Sequence, residues 1–167
     1  MREERQDVLF LCTGNSARSI LAEALLNRHG GGRFHALSAG SFPKGAVHPM
    51  ALEVLRHRGF PTEGLRSKSW DEFAAPAAPP LDIILTVCDN AAGEVCPLWP
   101  GQPMTAHWGI EDPARVEGPR QRAAFELALR RLESRIKKLL DLPMHAEPDE
   151  LKRRLREIGR MDDAHLV

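Results

Sequence analysis

The chain has 167 residues, enough for one domain with a sizeable core, and its 23 Lys and Arg are matched by 23 Asp and Glu. A net charge of zero argues against nucleic acid as a main partner, and the lack of any stretch of 18 apolar residues argues against a membrane partner or span. The charged N-terminus lacks the apolar run of a secretory signal, and three cysteines make no closed disulfide framework, so a cytoplasmic, reduced protein is expected.

Val8-Leu9-Phe10-Leu11 is a continuous apolar run that predicts a buried strand. Ile20, Leu21, Ala24 and Leu25 recur at helical spacing until His29-Gly30-Gly31-Gly32 ends the helix. Phe34 to Ala39 reads as a second strand, and Pro49 opens a helix that runs to Gly59. An Ala- and Pro-rich connector, 74–80, leads into a third strand, Leu81 to Val87, and Met104 to Trp108 gives a fourth. From Pro119 onward, Phe125, Ala128, Leu129, Leu132, Ile136, Leu139 and Leu140 trace one face of a helix of about six turns. Strands alternating with helices predict an α/β fold, a parallel sheet with helices on both faces. Pro143 and Pro148 mark a break. Beyond it Leu151, Leu155 and Ile158 line one side of a short basic amphipathic helix, expected to dock on the domain. The expected organisation is a domain over 1–141 and a tail over 142–167.

The segment between the first strand and first helix carries the chemistry. In Cys12-Thr13-Gly14-Asn15-Ser16-Ala17-Arg18-Ser19 the five residues after Cys12 can curl so that backbone N–H groups point into one hollow. Such a nest at a helix N-terminus binds a tetrahedral anion. Gly14 offers backbone freedom, Asn15 tolerates positive φ, and Arg18 brings a planar fork for two anion oxygens. Thr13, Gly14, Asn15, Ser16, Ala17 and Arg18 are thus the expected oxyanion-binding residues. The same field favours a thiolate at Cys12, with a pKa lowered from about 8.5 into the range of roughly 3.5–7.5. Ser19 can donate a hydrogen bond to that sulfur. The loop lacks the second Gly and the Lys of a nucleotide-binding P-loop, which excludes that reading.

A thiolate that displaces an oxygen leaving group needs a proton donor opposite it. Asp112 follows the fourth strand, and its place before Pro113 biases it to an extended backbone that projects the carboxyl outward. The C-x5-R-S loop behind an apolar strand, with Asp112-Pro113 late in the chain, resembles the low-molecular-weight tyrosine phosphatase fold over about residues 7–141. That resemblance implies four parallel strands in the order 2-1-3-4, with Cys12 as nucleophile and Asp112 as acid.

Within this fold phosphotyrosine hydrolysis and arsenate reduction compete, and the other two cysteines discriminate. Cys88 and Cys96 bound a polar, small-residue segment directly after the third strand, at the sheet edge shared with Cys12. A thiol–arsenic(V) adduct on Cys12 is resolved when a second thiolate attacks its sulfur, and a third thiolate then carries the disulfide outward. The stretch with Cys96-Pro97-Leu98-Trp99-Pro100 and His107-Trp108-Gly109 is similar to the arsenate reductases of this fold. The chain has no tyrosine, and Ala114 stands where the phosphatases often place an aromatic residue. It has one residue more between the last two cysteines than thioredoxin-coupled members usually have. The reductant is therefore left open among thioredoxin, glutaredoxin with glutathione, and mycothiol.

Some of these reductases bind a potassium ion near the loop, and the resemblance places Asn15, Glu23, Ser38 and Asp71 at the matching positions. His107, Trp70, Trp99 and Trp108 read as packing residues. The reading is an arsenate reductase with possible weak phosphatase activity. Its alternatives are a low-molecular-weight protein tyrosine phosphatase and a non-catalytic oxyanion sensor or binding module that uses the basic tail.

Overall fold

The computed structural model describes residues 5–75, 77–88 and 103–161. Strand β1 (Gln6–Leu11) sits inside a four-stranded sheet, flanked by β2 (Phe34–Ala39) and β3 (Ile83–Thr86), with β4 (Met104–His107) at the edge beyond β3. All three pairings are parallel and the order is β2-β1-β3-β4, as the sequence predicts. Val8, Leu9, Phe10 and Leu11 are all buried. Successive side chains of a strand point to opposite faces, so both faces of β1 are covered. That explains why its sequence is continuously apolar instead of alternating.

Five helices and two 3-10 turns surround the sheet among the described residues: α1 (Arg18–His29), α2 (Pro49–His57), the short α3 (Asp71–Ala74), α4 (Gln121–Leu140) and α5 (Pro148–Gly159). The turns are Pro113–Arg115 and Gly118–Arg120. Helix α4 buries Phe125, Leu129, Leu132, Ile136 and Leu139, the stripe read from the sequence, and packs on α1 and α2. Glu133 of α4 ties the ends of both neighbours, accepting from His29 Nε2 at 2.9 Å and from Arg58 at 2.8 Å.

Helix α5 lies against β4 and α4 with Leu151, Leu155 and Ile158 buried. The buried Trp108 indole donates to the Leu155 carbonyl at 2.9 Å. The basic face is paired within the helix, Arg153 with Glu150 and Glu157, and Arg154 with Glu150. Parallel pairing places the carboxyl ends of β1, β3 and β4 on one side of the sheet. Cys12, Cys88 and Asp112 follow those three ends.

Candidate active site

The loop after β1 is shaped from outside. Its carbonyls are taken by the segment that follows β2: Phe42 N–H donates to Thr13 O at 2.9 Å, Lys44 N–H to Gly14 O at 3.0 Å, and His48 N–H to Ser16 O at 2.8 Å. The C=O and N–H of one peptide unit point in opposite directions, so carbonyls pulled outward turn N–H groups toward the hollow. Among the described residues the amides of Asn15, Ser16 and Ala17 make no hydrogen bond to another backbone group. Ala17 caps α1 without a side-chain hydrogen bond, which leaves the helix N-terminus available to an anion. The expected backbone strain falls on Asn15, at φ 43°, while Gly14 keeps clear of positive φ. The conformational freedom read for Gly14 is therefore not what the loop uses.

Cys12 lies at the floor of a cleft of about 180 Å³, whose walls include the loop, Arg18, Cys88, Asp112 and Ala114, with Phe42 and Lys44. Arg18 donates to Ile110 O at 3.0 Å and stands 3.5 Å from Asp112 Oδ2, while its buried Nε has no partner among the described residues. A permanent cation with a free donor in a cleft of backbone amides is suited to an oxyanion. Asp112 Oδ1 accepts from Ala114 N–H at 3.0 Å, which caps the Pro113–Arg115 turn and fixes the carboxyl opposite the loop. Cys12, Thr13 to Arg18 and Asp112 are brought together as the sequence reading placed them.

The two described cysteines lie side by side, both buried. Thr13 N–H donates to Cys88 Sγ at 3.3 Å, and the Thr13 hydroxyl is within 3.8 Å of the same sulfur. The neighbouring Cys88 thiol and burial push the Cys12 thiol well above its ordinary pKa, against smaller opposing effects from Arg18 and the Gly14 amide. This corrects the expected depression of the Cys12 pKa. Two neighbouring sulfurs in a buried site do not both hold negative charge, so a proton is shared by the Cys12 and Cys88 pair while Cys88 Sγ accepts from the Thr13 N–H. Ser19 also departs from its expected role: its Oγ accepts from Asn15 Nδ2 at 2.8 Å, and no Ser19 bond to Cys12 is formed. Cys96 lies outside the described residues.

The four residues matched to a potassium site do not act together. Ser38 Oγ donates to Glu23 at 2.5 Å, and beside them lies the ammonium of Lys68, 2.8 Å from Ser38 O, 3.4 Å from Ser38 Oγ and 3.9 Å from Glu23 Oε1. Asn15 Oδ1 is used by the Lys68 N–H at 2.8 Å. Asp71 is exposed at the start of α3 and makes no described bond to this group. The donor set is already serving a cation of the chain itself, so the residues present do not fit a potassium ion. Lys68 and Gly40 are what the sequence reading missed. Gly40 donates to Lys68 O at 3.0 Å, and a Cβ on it would sit 2.4 Å from Thr13 O and 2.6 Å from Cys12 O. A lysine between serines, in a segment with no apolar period, carries no signal that its ammonium is buried. His107, bonded through Nδ1 to Thr86 Oγ1 at 2.7 Å, is not among the residues that line the cleft.

A thiol at the end of a parallel strand, a helix N-terminus and arginine around it, and a carboxyl across the cleft define a cysteine-dependent enzyme acting on tetrahedral oxyanions. The chain belongs to the low molecular weight phosphotyrosine protein phosphatase family, whose pattern residues 7–157 match. It is 32% identical over 139 residues to a Bacillus licheniformis protein named arsenate reductase, covering 82% of this chain and 96% of that one. Among solved structures it is similar to an arsenate reductase from Archaeoglobus fulgidus, with a TM-score of 0.63 and 32% identity, over 81% of this chain and 99% of that chain. It is also similar to a structure from Corynebacterium glutamicum described as a thioredoxin-dependent arsenate reductase, with a TM-score of 0.63 and 28% identity. That match covers 83% of this chain and 62% of that one. No described helix is long and apolar enough to cross a membrane.

Proposed function

We propose that the chain reduces arsenate to arsenite by a cysteine relay. The observation that carries this reading is that Cys12 and Cys88 line the same oxyanion cleft, with Cys88 Sγ held by the loop amide of Thr13. A phosphatase has no use for a second thiol there, because water completes its reaction. The relatives named arsenate reductase support the same reading.

Arsenate enters the cleft between the loop amides and Arg18. The Cys12 thiolate attacks arsenic, an As–O bond breaks, and Asp112 gives its proton to the departing oxygen, which leaves as water. The thiolate forms as Cys12 gives its proton to an oxygen of the bound arsenate dianion. In the second step the Cys88 thiolate attacks Cys12 Sγ. The S–S bond forms as the S–As bond breaks, and its electron pair stays on arsenic, which falls from As(V) to As(III) and leaves as arsenite. The Thr13 N–H on Cys88 Sγ suits this step, since it stabilises the attacking thiolate. Cys96 then attacks Cys88, the disulfide moves to Cys88–Cys96, and the Cys12 thiol is freed. A dithiol of the thioredoxin type returns the last disulfide to thiols; glutaredoxin with glutathione or mycothiol serves the same chemistry.

The phosphate ester reaction shares the first step, and the cleft supports weak aryl phosphate hydrolysis as a side activity. The test is arsenite production with a thioredoxin system on wild type and on three serine variants. Cys12→Ser is expected to produce none. Cys88→Ser is expected to stop at the adduct, and Cys96→Ser after a single turnover, with Cys12 and Cys88 joined. Sustained turnover by Cys88→Ser overturns the relay.

A further inference from the structure

We infer that Lys68 is a positioning residue that supplies, from within the chain, a positive charge behind the oxyanion loop, and so makes the loop independent of potassium. Lys68 is only 8% exposed, an unusual place for a lysine unless its ammonium is held by oxygen acceptors. Its Nζ lies 2.8 Å from the Ser38 carbonyl and 3.4 Å from the Ser38 hydroxyl, with the Glu23 carboxylate 3.9 Å away. A carbonyl, a hydroxyl and a carboxylate around one charge are the ligand types of a monovalent cation, and an ammonium group is similar to potassium in charge and size.

A neighbouring cation is committed elsewhere. Arg66 is bidentate to Glu72, at 2.7 and 3.0 Å. Among the described residues Lys68 is the cation that reaches both Ser38 and Glu23.

The ammonium fixes a backbone that in turn fixes the loop. Lys68 N–H donates to Asn15 Oδ1 at 2.8 Å, and Asn15 Nδ2 donates to Ser19 Oγ at 2.8 Å. One residue back, Ser67 Oγ donates to Gly14 O at 3.2 Å, and one strand away Gly40 N–H donates to Lys68 O at 3.0 Å. Asn15 is the loop residue in the left-handed region, and its side-chain bonds are what hold it there. A charge tethered at Ser38 and Glu23 therefore sets the conformation of the residue on which the cradle turns.

The test reads phosphate binding and thermal unfolding, neither of which needs arsenate turnover, so its outcome is separate from that of the relay. Wild type is titrated with inorganic phosphate in KCl, NaCl and choline chloride at equal ionic strength. Its Kd and Tm are expected to be the same in all three. Lys68→Ala opens the space and is expected to lose about tenfold in phosphate affinity in choline chloride, the worth of one hydrogen bond to a charged group. It is expected to regain most of that affinity, and its Tm, in KCl or ammonium chloride. Lys68→Met fills the space without charge and is expected to lose affinity with no recovery. A merely structural lysine does not produce rescue by a small cation. Wild-type phosphate affinity that tightens in KCl overturns the inference whatever the variants do. A Lys68→Ala protein that matches wild type in choline, or gains nothing from either cation, also overturns it.

Discussion

Cys12 carries two opposed demands, to attack an oxyanion as a thiolate and then to yield its sulfur to a second thiol. Arg18 and the Gly14 amide favour the thiolate, but the neighbouring Cys88 and burial outweigh them and favour the protonated thiol. Replacing Cys88 with Ala removes the largest of these raising effects. The pH midpoint for iodoacetamide alkylation of Cys12, followed by mass spectrometry, is expected to fall, with faster reaction at neutral pH. An unchanged midpoint means that Cys88 does not raise the Cys12 pKa. Gly40 gives a second test at this scale. A methyl group there meets two carbonyls of the loop at 2.4 and 2.6 Å, closer than any contact can be. Gly40→Ala is expected to weaken phosphate binding, measured by calorimetry, through a shifted loop costing about 1–3 kcal/mol. Unaltered phosphate affinity contradicts that. The loop itself was legible because its chemistry is contiguous from Cys12 to Ser19. Gly40, Ser67 and Lys68 reach it from segments distant in sequence, and only the folded chain shows that they touch it.

At the scale of elements, the strands and α4 follow directly from apolar runs and the helical stripe, because burial on two faces or one leaves a different period. The start of α2 at Pro49 was also legible, but its cap was not, since histidine is an uncommon N-cap. His48 Nδ1 accepts from Met50 N–H at 3.0 Å, and the ring lies 4.8 Å from that of Phe125 on α4. Burial, with help from Lys44, holds its pKa below the ordinary value, against a smaller raising effect of Asp112. Protonation of Nδ1 would destroy the acceptor that caps the helix. The unfolded ring takes its proton near the ordinary pKa of about 6.5. From there down to the folded pKa the unfolded state binds more protons, so stability falls as pH falls; above it this contribution is constant. Asn keeps a capping oxygen and does not titrate. His48→Asn is expected to flatten the acid side of the stability–pH curve, measured by urea unfolding below about pH 6.5. An unaltered slope means that other groups set it.

Across the whole molecule, the question is whether residues beyond α4 belong to the fold or wait for a partner. The basic stripe of α5 suggested a binding surface in isolation, yet three of its apolar residues are buried and Arg153 and Arg154 are paired within the helix. The decisive contact involves a residue with no side chain. A Cβ on Gly159 would lie 2.1 Å from His107 O and 2.9 Å from Trp108 Cδ1. Glycine is what lets the last turn of α5 approach the end of β4, and no periodicity marks it, because glycine contributes nothing to an apolar stripe. In a free helix, Gly→Ala stabilises by about 1 kcal/mol. In the docked helix the methyl must push α5 off β4, straining the Trp108 bond to Leu155 O and opening the packing of Leu155, at a cost of about 1–3 kcal/mol. The two readings thus predict opposite signs for one substitution. Gly159→Ala is expected to lower Tm and shift tryptophan emission to longer wavelength as Trp108 meets water, while Arg156→Ala on the exposed side stays within about 0.5 kcal/mol of wild type. A Gly159→Ala protein with raised Tm and unaltered emission would mean that α5 stands free, and the basic stripe would again need a partner.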